Sequence, residues 1–124
     1  MNIQTHHINN TEIAEVRSED IVIQNANDAL DLMGNIYYQG FDKIVIHQKN
    51  LTEEFFNLKN KMAGEILQKF SNYRIRLAIV GDYSKFSSKS LQDFIYESNK
   101  GKHVYFATSL KDALRVLSNS KDLT

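Results

Sequence analysis

The sequence predicts a single α/β domain over residues 1–124, with a mostly parallel sheet, antiparallel strands at its N-terminal edge and about four helices. The first observation is the length, because 124 residues is the size of one typical domain. The second is a change of period, since strand-like alternation gives way after residue 23 to apolar residues spaced three or four apart. The third is the regular alternation of these helical stripes with short apolar runs, which predicts βα units and parallel strand pairing.

The N-terminal 23 residues are expected to form two or three short strands. Thr11–Arg17 alternates with the period of two that is typical of a strand, and Ile21–Ile23 is a short β-branched run. Tight turns are expected at Asn9–Asn10 and at residues 18–20. Residues 1–10 are interpreted as a further strand or a loose tail.

The next segment predicts a capped helix followed by a buried strand. Asn25 is a suitable N-cap with Asp28 three residues on, and Gly40 suits the left-handed position that ends a helix. Lys43–Ile46 is an apolar run typical of a strand buried on both faces. The apolar stripe of the helix comprises Ala29, Leu30, Met33, Ile36 and Tyr37.

A second helix is expected from a cap at Thr52 down to Tyr73, with a broad apolar face. Gly64 falls inside this helix, where a glycine costs about 1 kcal/mol relative to alanine. We therefore expect close packing of a neighbouring element against Gly64.

The remaining chain predicts two further strand–helix units. Ile75–Val80 is the most hydrophobic segment and is expected to be a central strand. After a polar loop, Ser90 is expected to cap a helix that ends at Gly101. The last unit comprises a strand over His103–Ala107, a cap pair of Ser109 and Asp112, an amphipathic helix and a frayed tail over residues 118–124.

Composition excludes several functional classes. Lys and Arg number 15, as do Asp and Glu, so the chain lacks the basic excess of a nucleic-acid-binding protein. No apolar run approaches the roughly 20 residues of a membrane span, and the polar N-terminus is unlike a signal peptide. The absence of cysteine excludes disulfides and thiol catalysis. We expect a cytoplasmic protein that contacts neither nucleic acid nor membrane.

Charge is divided unevenly along the chain. Residues 1–40 hold one cation and six acids, a net charge of −5, and the remainder holds fourteen cations and nine acids, a net charge of +5. This asymmetry indicates either a partner-binding face or opposite charges that the sheet brings together.

Established catalytic and cofactor motifs are absent from the sequence. There is no G-x-S-x-G elbow, no H-E-x-x-H pair and no G-x-G-x-x-G fingerprint, so no cofactor and no metal are expected. His6 and His7 have no partner at ligand spacing and are interpreted as part of an exposed strand.

The segment from Gly81 to Ser90 is the nearest approach to a phosphate-binding loop, but it lacks the glycine before the lysine. A weaker hypothesis is an anion site at the following helix N-terminus. The alternative is a solvated loop with a capping serine. The candidate anion ligands are Lys85, Ser87, Ser88, Lys89 and Ser90.

A second candidate site lies at the carboxyl ends of the predicted parallel strands, where open α/β sheets bind ligands. His47 and Asn50 follow one strand, and Asp82 and Ser84 follow the next. If the two strands are neighbours, a His47–Asp82 pair could act as a general base. The alternative is a structural hydrogen bond between two loops.

Several segments of the chain resemble an uncharacterised bacterial family, domain of unknown function 4180, from about Ile13 to Leu117. The family has no established activity to transfer. The matching segments are Phe55-Phe56-Asn57-Leu58, Ala63–Phe70, Asn72-Tyr73-Arg74, Leu77–Asp82, Asp93-Phe94-Ile95 and Glu97–Gly101.

The order of elements is more distantly similar to the sulphate-transporter and anti-sigma-factor-antagonist (STAS) domains. Together with the missing catalytic motifs, that resemblance implies a small cytoplasmic regulatory module that binds a partner protein and is not an enzyme. Zero net charge offers little repulsion against self-association, so a homodimer is also expected. The resemblance also implies a phosphorylated serine near Lys59–Lys61, where this sequence has no hydroxyl residue. The alternative function is a small-molecule or anion sensor, or a weak enzyme, at the edge around His47 and Asp82.

Overall fold

Five strands form one sheet in the order in which they follow along the chain, β1-β2-β3-β4-β5, in a computed structural model that describes residues 1–101 and 103–119. β1 is antiparallel to β2, and every later pair is parallel, so the predicted fold class is confirmed. The strands are β1 (Asn2–Ile8), β2 (Thr11–Arg17), β3 (Lys43–His47), β4 (Arg76–Val80) and β5 (Val104–Ala107). The helices are α1 (Ala26–Tyr38), α2 (Met62–Asn72), α3 (Lys89–Lys100) and α4 (Leu110–Ser118).

The N-terminal hairpin forms the antiparallel edge of the sheet. Asn9 and Asn10 connect β1 to β2 with φ values of 52° and 61°, the left-handed pair that a tight two-residue hairpin turn requires. Residues 21–23 do not form a third strand. Ile23 instead makes an isolated parallel bridge to Leu51, which fixes this segment beside the end of β3.

The sheet has an apolar core on each face. One face packs against α1, α2 and α3 through strand residues such as Val16, Ile46 and Ile79. The other face packs against α4, where Val45 and Ala78 lie in one cluster with Ala113 and Leu117 of the helix. Because β2 is buried on both faces, any polar residue within it needs a partner inside the protein.

Local capping explains most helix boundaries. The Asn25 side chain accepts from the backbone N–H of Asp28, and the Asp28 carboxylate accepts from the backbone N–H of Gln24, one residue before the cap. This arrangement is a variant of the capping box. Gly40 follows α1 with a φ of 96°, as predicted. Ser109 caps α4 by accepting from Asp112.

The predicted continuous helix from Thr52 to Tyr73 is wrong. Two short 3₁₀ turns, Glu53–Phe56 and Leu58–Asn60, precede α2. Lys61, with a left-handed φ of 63°, separates the second turn from the helix. The cause is local, because Asn57 accepts from the N–H of Lys59 and the Asn60 side chain donates to the backbone of Glu54. Such side-chain bonds compete with the helical backbone ladder.

Other expectations about helices also need correction. A Cβ added at Gly64 would meet nothing within 4 Å, so no neighbouring element packs against this glycine. The cap of α3 is Ser88, which accepts from the N–H of Leu91, rather than Ser90. Ser118 is buried within α4 and is not part of a frayed tail, whereas residues 120–124 lie outside the described residues.

None of the helices in the described part of the chain is long and apolar enough to cross a membrane.

Candidate functional site

The carboxyl ends of β3 and β4 lie side by side, with His47 opposite Val80. A hollow of about 860 Å³ opens at this edge, and we call it the carboxyl-edge hollow. Its polar rim includes His47, Lys49 and Lys85, and its apolar wall includes Ile21, Phe56 and Phe86. Of the residues predicted at this edge from the sequence, only His47 lines the hollow.

His47 is paired with Glu15 rather than with Asp82. Its Nε2 lies 2.6 Å from Oε2 of Glu15. The Asp82 carboxylate instead accepts from the Ser84 hydroxyl at 2.6 Å and from the Ser84 backbone N–H at 3.1 Å. These two bonds hold the pKa of Asp82 below its ordinary value, with a smaller contribution from the charge of Lys85. The edge therefore contains a histidine–carboxylate pair, but its carboxylate comes from β2.

Glu15 is the centre of a cluster that we call the Glu15 cluster, comprising His6, Glu15, Arg17 and His47. The Glu15 side chain is only 3% exposed. Its Oε1 receives hydrogen bonds from Nε2 of His6 at 2.8 Å and from Nε of Arg17 at 3.2 Å. One carboxylate thus satisfies donors from three strands, β1, β2 and β3.

The ionisation of Glu15 follows from these contacts. Burial raises the pKa of Glu15, but the hydrogen bonds from His47 and His6 and the charge of Arg17 together outweigh it, so the pKa lies below the ordinary value of 4.5. An ionised carboxylate can only accept. The contacting Nε2 atoms of both histidines must therefore carry protons, and Nδ1 of a neutral His47 is an acceptor.

Sequence reasoning missed Glu15, because the alternation over Thr11–Arg17 predicts a strand and does not show which of its faces are covered. Ile13, Ala14 and Val16 are all fully buried, so β2 is covered on both faces. The signal available in the sequence was that apolar residues occupy both alternating positions around Glu15. Such a carboxylate must find donors inside the protein.

A metal centre is not indicated in the described part of the chain, where no group of three or more His, Asp or Glu side chains is placed to hold a metal ion. Both oxygens of Glu15 are instead hydrogen-bonded directly to imidazole nitrogens.

Asn50 has a structural position beneath the edge. It is fully buried, and its Nδ2 donates to the carbonyls of Ser18 and Asp20, both at 2.8 Å. The backbone carbonyl of Asn50 accepts from the backbone N–H groups of Val22 and Ile23. Asn50 therefore ties the segment after β2 to the end of β3, and it does not line the hollow.

Of the residues predicted to bind an anion at the start of α3, Lys85 lines the carboxyl-edge hollow, whereas Ser88 and Lys89 have local partners. Ser88 caps the helix through Leu91, and Lys89 forms an ion pair with Asp93 at 3.2 Å. Both side chains are exposed, and neither lines the carboxyl-edge hollow.

Gly81 permits the close approach of the two loops at this edge. A Cβ at Gly81 would lie 2.7 Å from Cβ of Gln48, closer than real contacts allow. The Gln48 side chain in this position accepts from the Asp82 backbone N–H at 3.2 Å. The glycine thus allows a side chain after β3 to support the loop after β4.

A second hollow lies between α1 and the end of α2, and we call it the tyrosine hollow. Its volume is about 600 Å³. Tyr37 and Tyr73 line it and are 66% and 61% exposed, and Tyr38, next along the chain, is 92% exposed. The other lining residues are Leu30, Met33, Gly34 and Ile75.

Two further aromatic residues, Tyr83 and Phe86, belong to the interior. Tyr83 is buried and donates to the carbonyl of Ile79 at 2.5 Å, and burial raises the pKa of its phenol. Phe86 is half-buried and stacks on Phe56 with ring centres 5.0 Å apart.

The fold is similar to that of a crystal structure from Thermotoga maritima described as an anti-sigma factor antagonist. The TM-score is 0.51 with 11% sequence identity, and the similarity covers 94% of this chain and 95% of that chain. At this identity the likeness establishes the fold alone. No curated protein matches the sequence. The model of one family, described as a domain of unknown function (DUF4180), matches residues 8–117, and the chain therefore belongs to that family.

Proposed function

We propose that this protein is a non-enzymatic, cytoplasmic regulatory module that binds a partner protein through the tyrosine hollow. The observation that carries the proposal is an apolar hollow of about 600 Å³ lined by two tyrosines that are more than 60% exposed. Exposed apolar surface of this kind marks interaction sites more often than scattered single residues do. The occupant is an apolar side chain presented by a segment of the partner.

The chemistry of the hollow suits a protein partner. Tyrosine offers a large contact area with few rotatable bonds, so its ordering on binding costs little conformational entropy. Leu30, Met33 and Ile75 supply the apolar floor, and methionine adapts readily to the shape of an inserted side chain.

The fold supports a role in protein binding. The similar Thermotoga maritima protein is described as an anti-sigma factor antagonist, a description that names a protein as its target.

Two glycines provide a matched test. Gly34 lines the tyrosine hollow on α1 and Gly64 lies on α2 outside it, and a Cβ at either would enter open space. Gly34→Leu fills the hollow, whereas Gly64→Leu adds the same side chain elsewhere. Both variants should stay folded, because removing a glycine from a helix favours the helix by roughly 0.5–1 kcal/mol.

The partner itself is found by photo-cross-linking in lysate of the native host. A benzophenone amino acid replaces Tyr38, and the same group at Tyr96, which is 64% exposed on α3, is the control. A protein cross-linked from Tyr38 alone is purified, and its affinity is measured by calorimetry. We expect Gly34→Leu to weaken binding at least tenfold and Gly64→Leu to change it less than twofold.

The outcomes separate the alternatives. Equal affinities for the two leucine variants, or equal cross-linking from Tyr38 and Tyr96, would contradict a partner site at the tyrosine hollow. If the cross-linked protein is a second copy of this chain, the partner interaction is a homodimer, and sedimentation analysis must then detect a dimer that Gly34→Leu dissociates.

A second candidate function is a small-molecule sensor at the carboxyl edge. The observation that favours it is the hollow of about 860 Å³ with His47 on its rim, a volume within the range of small-molecule sites. Asn50, Asp82 and Ser84 would then support the loops around the site rather than contact the ligand.

A further inference from the structure

The carboxyl-edge hollow combines positive charge with an aromatic wall. Lys49 and Lys85 lie on its rim with one acid, Glu53, so these three groups sum to a charge of +1 with His47 neutral. Lys49 is partly neutralised by Glu19, whose carboxylate lies 3.2 Å away and is 92% exposed. An ion pair this exposed is weak and can be exchanged for a ligand anion.

Two stacked aromatic rings form part of the wall of the hollow. The rings of Phe56 and Phe86 stack with an interplanar angle of 21° and a centroid distance of 5.0 Å. Phe56 is 8% exposed, and Ile21, at 46%, is among the most exposed large apolar side chains of the described residues. A planar apolar group could pack against this wall and cover Ile21.

The Glu15 cluster prepares His47 for a role at the rim. The cluster uses Nε2 of His47 and leaves Nδ1 without a hydrogen-bond partner among the described residues. His47 also lines a smaller hollow of about 260 Å³ together with Glu15, Arg17 and Lys49. Glu15 holds the His47 ring in place through Nε2, so Nδ1 can accept a hydrogen bond from a donor group of a ligand.

We propose that the carboxyl-edge hollow binds a small organic anion with a flat apolar body, such as an aromatic carboxylate. Lys49 and Lys85 contact the anionic group, and the apolar body packs against Phe56, Phe86 and Ile21. This inference rests on the second candidate function, the small-molecule sensor, and it adds the chemical class of the ligand.

Two fluorescent probes of the same shape test the class of ligand. 8-Anilinonaphthalene-1-sulfonate carries a flat apolar body and an anion, and N-phenyl-1-naphthylamine carries nearly the same body without the charge. Fluorescence titrations compare wild type with Ile21→Glu, and Ile21→Gln is the matched neutral control. Because Ile21 is substantially exposed, neither substitution disturbs the core.

We expect the sulfonate probe to bind wild type at one site and to bind Ile21→Glu about tenfold more weakly than Ile21→Gln, because the new carboxylate repels the anion. Lys49→Met combined with Lys85→Met should cause a similar loss. The affinity of the neutral probe should differ less than twofold between Ile21→Glu and Ile21→Gln, and less than twofold between wild type and the lysine double variant. The Gly34→Leu variant should bind the sulfonate probe normally, which excludes the tyrosine hollow as the place where the probe binds.

The failures can be told apart. If neither probe binds, or if Gly34→Leu abolishes binding, the small-molecule function at this edge is wrong together with the ligand class. If both probes bind equally well and Ile21→Glu weakens them equally, a small-molecule site exists but its preference for anions is refuted.

Discussion

Replacing Glu15 with glutamine tests whether the Glu15 cluster stabilises the fold. The substitution preserves the shape of the side chain and removes its charge. The wild-type carboxylate receives hydrogen bonds of 2.6 Å from His47, 2.8 Å from His6 and 3.2 Å from Arg17. We expect Glu15→Gln to lower the free energy of unfolding at pH 7.

The size of the loss in free energy of unfolding depends on how much hydration each partner of Glu15 recovers in the variant. A hydrogen bond to a charged group contributes roughly 1.5–3 kcal/mol when both partners are buried. The side chains of His6, His47 and Arg17 are 20%, 28% and 54% exposed, so each recovers part of its hydration when the carboxylate is removed. With about 1 kcal/mol for each histidine and little for the arginine, the expected loss is about 2 kcal/mol.

Urea unfolding measures this loss directly. With a slope of about 1.5 kcal/mol per molar urea, a loss of about 2 kcal/mol lowers the midpoint by roughly 1.3 M. Glu12→Gln is the matched control, because Glu12 lies on the same strand, is 58% exposed and lies 3.7 Å from His7. An exposed pair of this kind contributes less than about 1 kcal/mol.

The dependence on pH gives an independent check. The pKa of Glu15 is lower in the folded protein than its ordinary value of 4.5, so its contribution is complete well above pH 4.5 and is lost as the pH falls toward the folded value. The difference between wild type and Glu15→Gln should therefore narrow by pH 3. Equal midpoints at pH 7, or a difference that persists undiminished at pH 3, would refute the reasoning.

Three further predictions test local features of the fold. Gly64→Ala should raise the free energy of unfolding by about 1 kcal/mol, because its Cβ would enter open space in α2. A lower midpoint of thermal unfolding for the variant would contradict this. Gly81→Ala should lower stability by about 1–2 kcal/mol, because its Cβ collides with Gln48; NMR should show the Gln48 side chain displaced, and an unchanged spectrum would refute the contact. Ser88→Ala should lower the free energy of unfolding by about 1 kcal/mol and Ser90→Ala much less, because Ser88 is the cap of α3. Chemical denaturation measures both, and a larger loss for Ser90→Ala would indicate that Ser90 is the cap.

The helices that the sequence predicted well are those whose ends are set by local chemistry. Asn25 caps α1 and Ser109 caps α4, and each bond spans three residues, so the sequence alone contains it. The prediction of a helix that starts from a cap at Thr52 was wrong for the same kind of reason. Asn57 and Asn60 offer the backbone local hydrogen bonds that interrupt a helix, and the apolar periodicity of the segment concealed them.

The candidate site was harder to predict, because it depends on which strands are neighbours. The expectation that His47 lies at the carboxyl edge next to the strand before Asp82 agrees with the parallel pairing of β3 and β4. β2 pairs with β3 on the other side, and the register that aligns Glu15 with Val45 puts Glu15 and His47 on one face of the sheet. A histidine at a strand end can turn to either neighbour. His47 turns to the buried carboxylate of Glu15, whose Oε2 it satisfies, rather than to an exposed aspartate already bonded to Ser84.

The tyrosine hollow illustrates a different limit of sequence patterns. Tyr37 follows Met33 and Ile36 at helical spacing, which predicts a single buried stripe on α1. Met33 and Ile36 are indeed buried, but Tyr37 is 66% exposed. Periodicity assigns residues to a face of a helix, and it contains no information about where the neighbouring element ends. Where an apolar stripe extends beyond the element that packs on it, its residues form an exposed apolar surface. Such a surface is buried only when a partner from outside the domain binds to it.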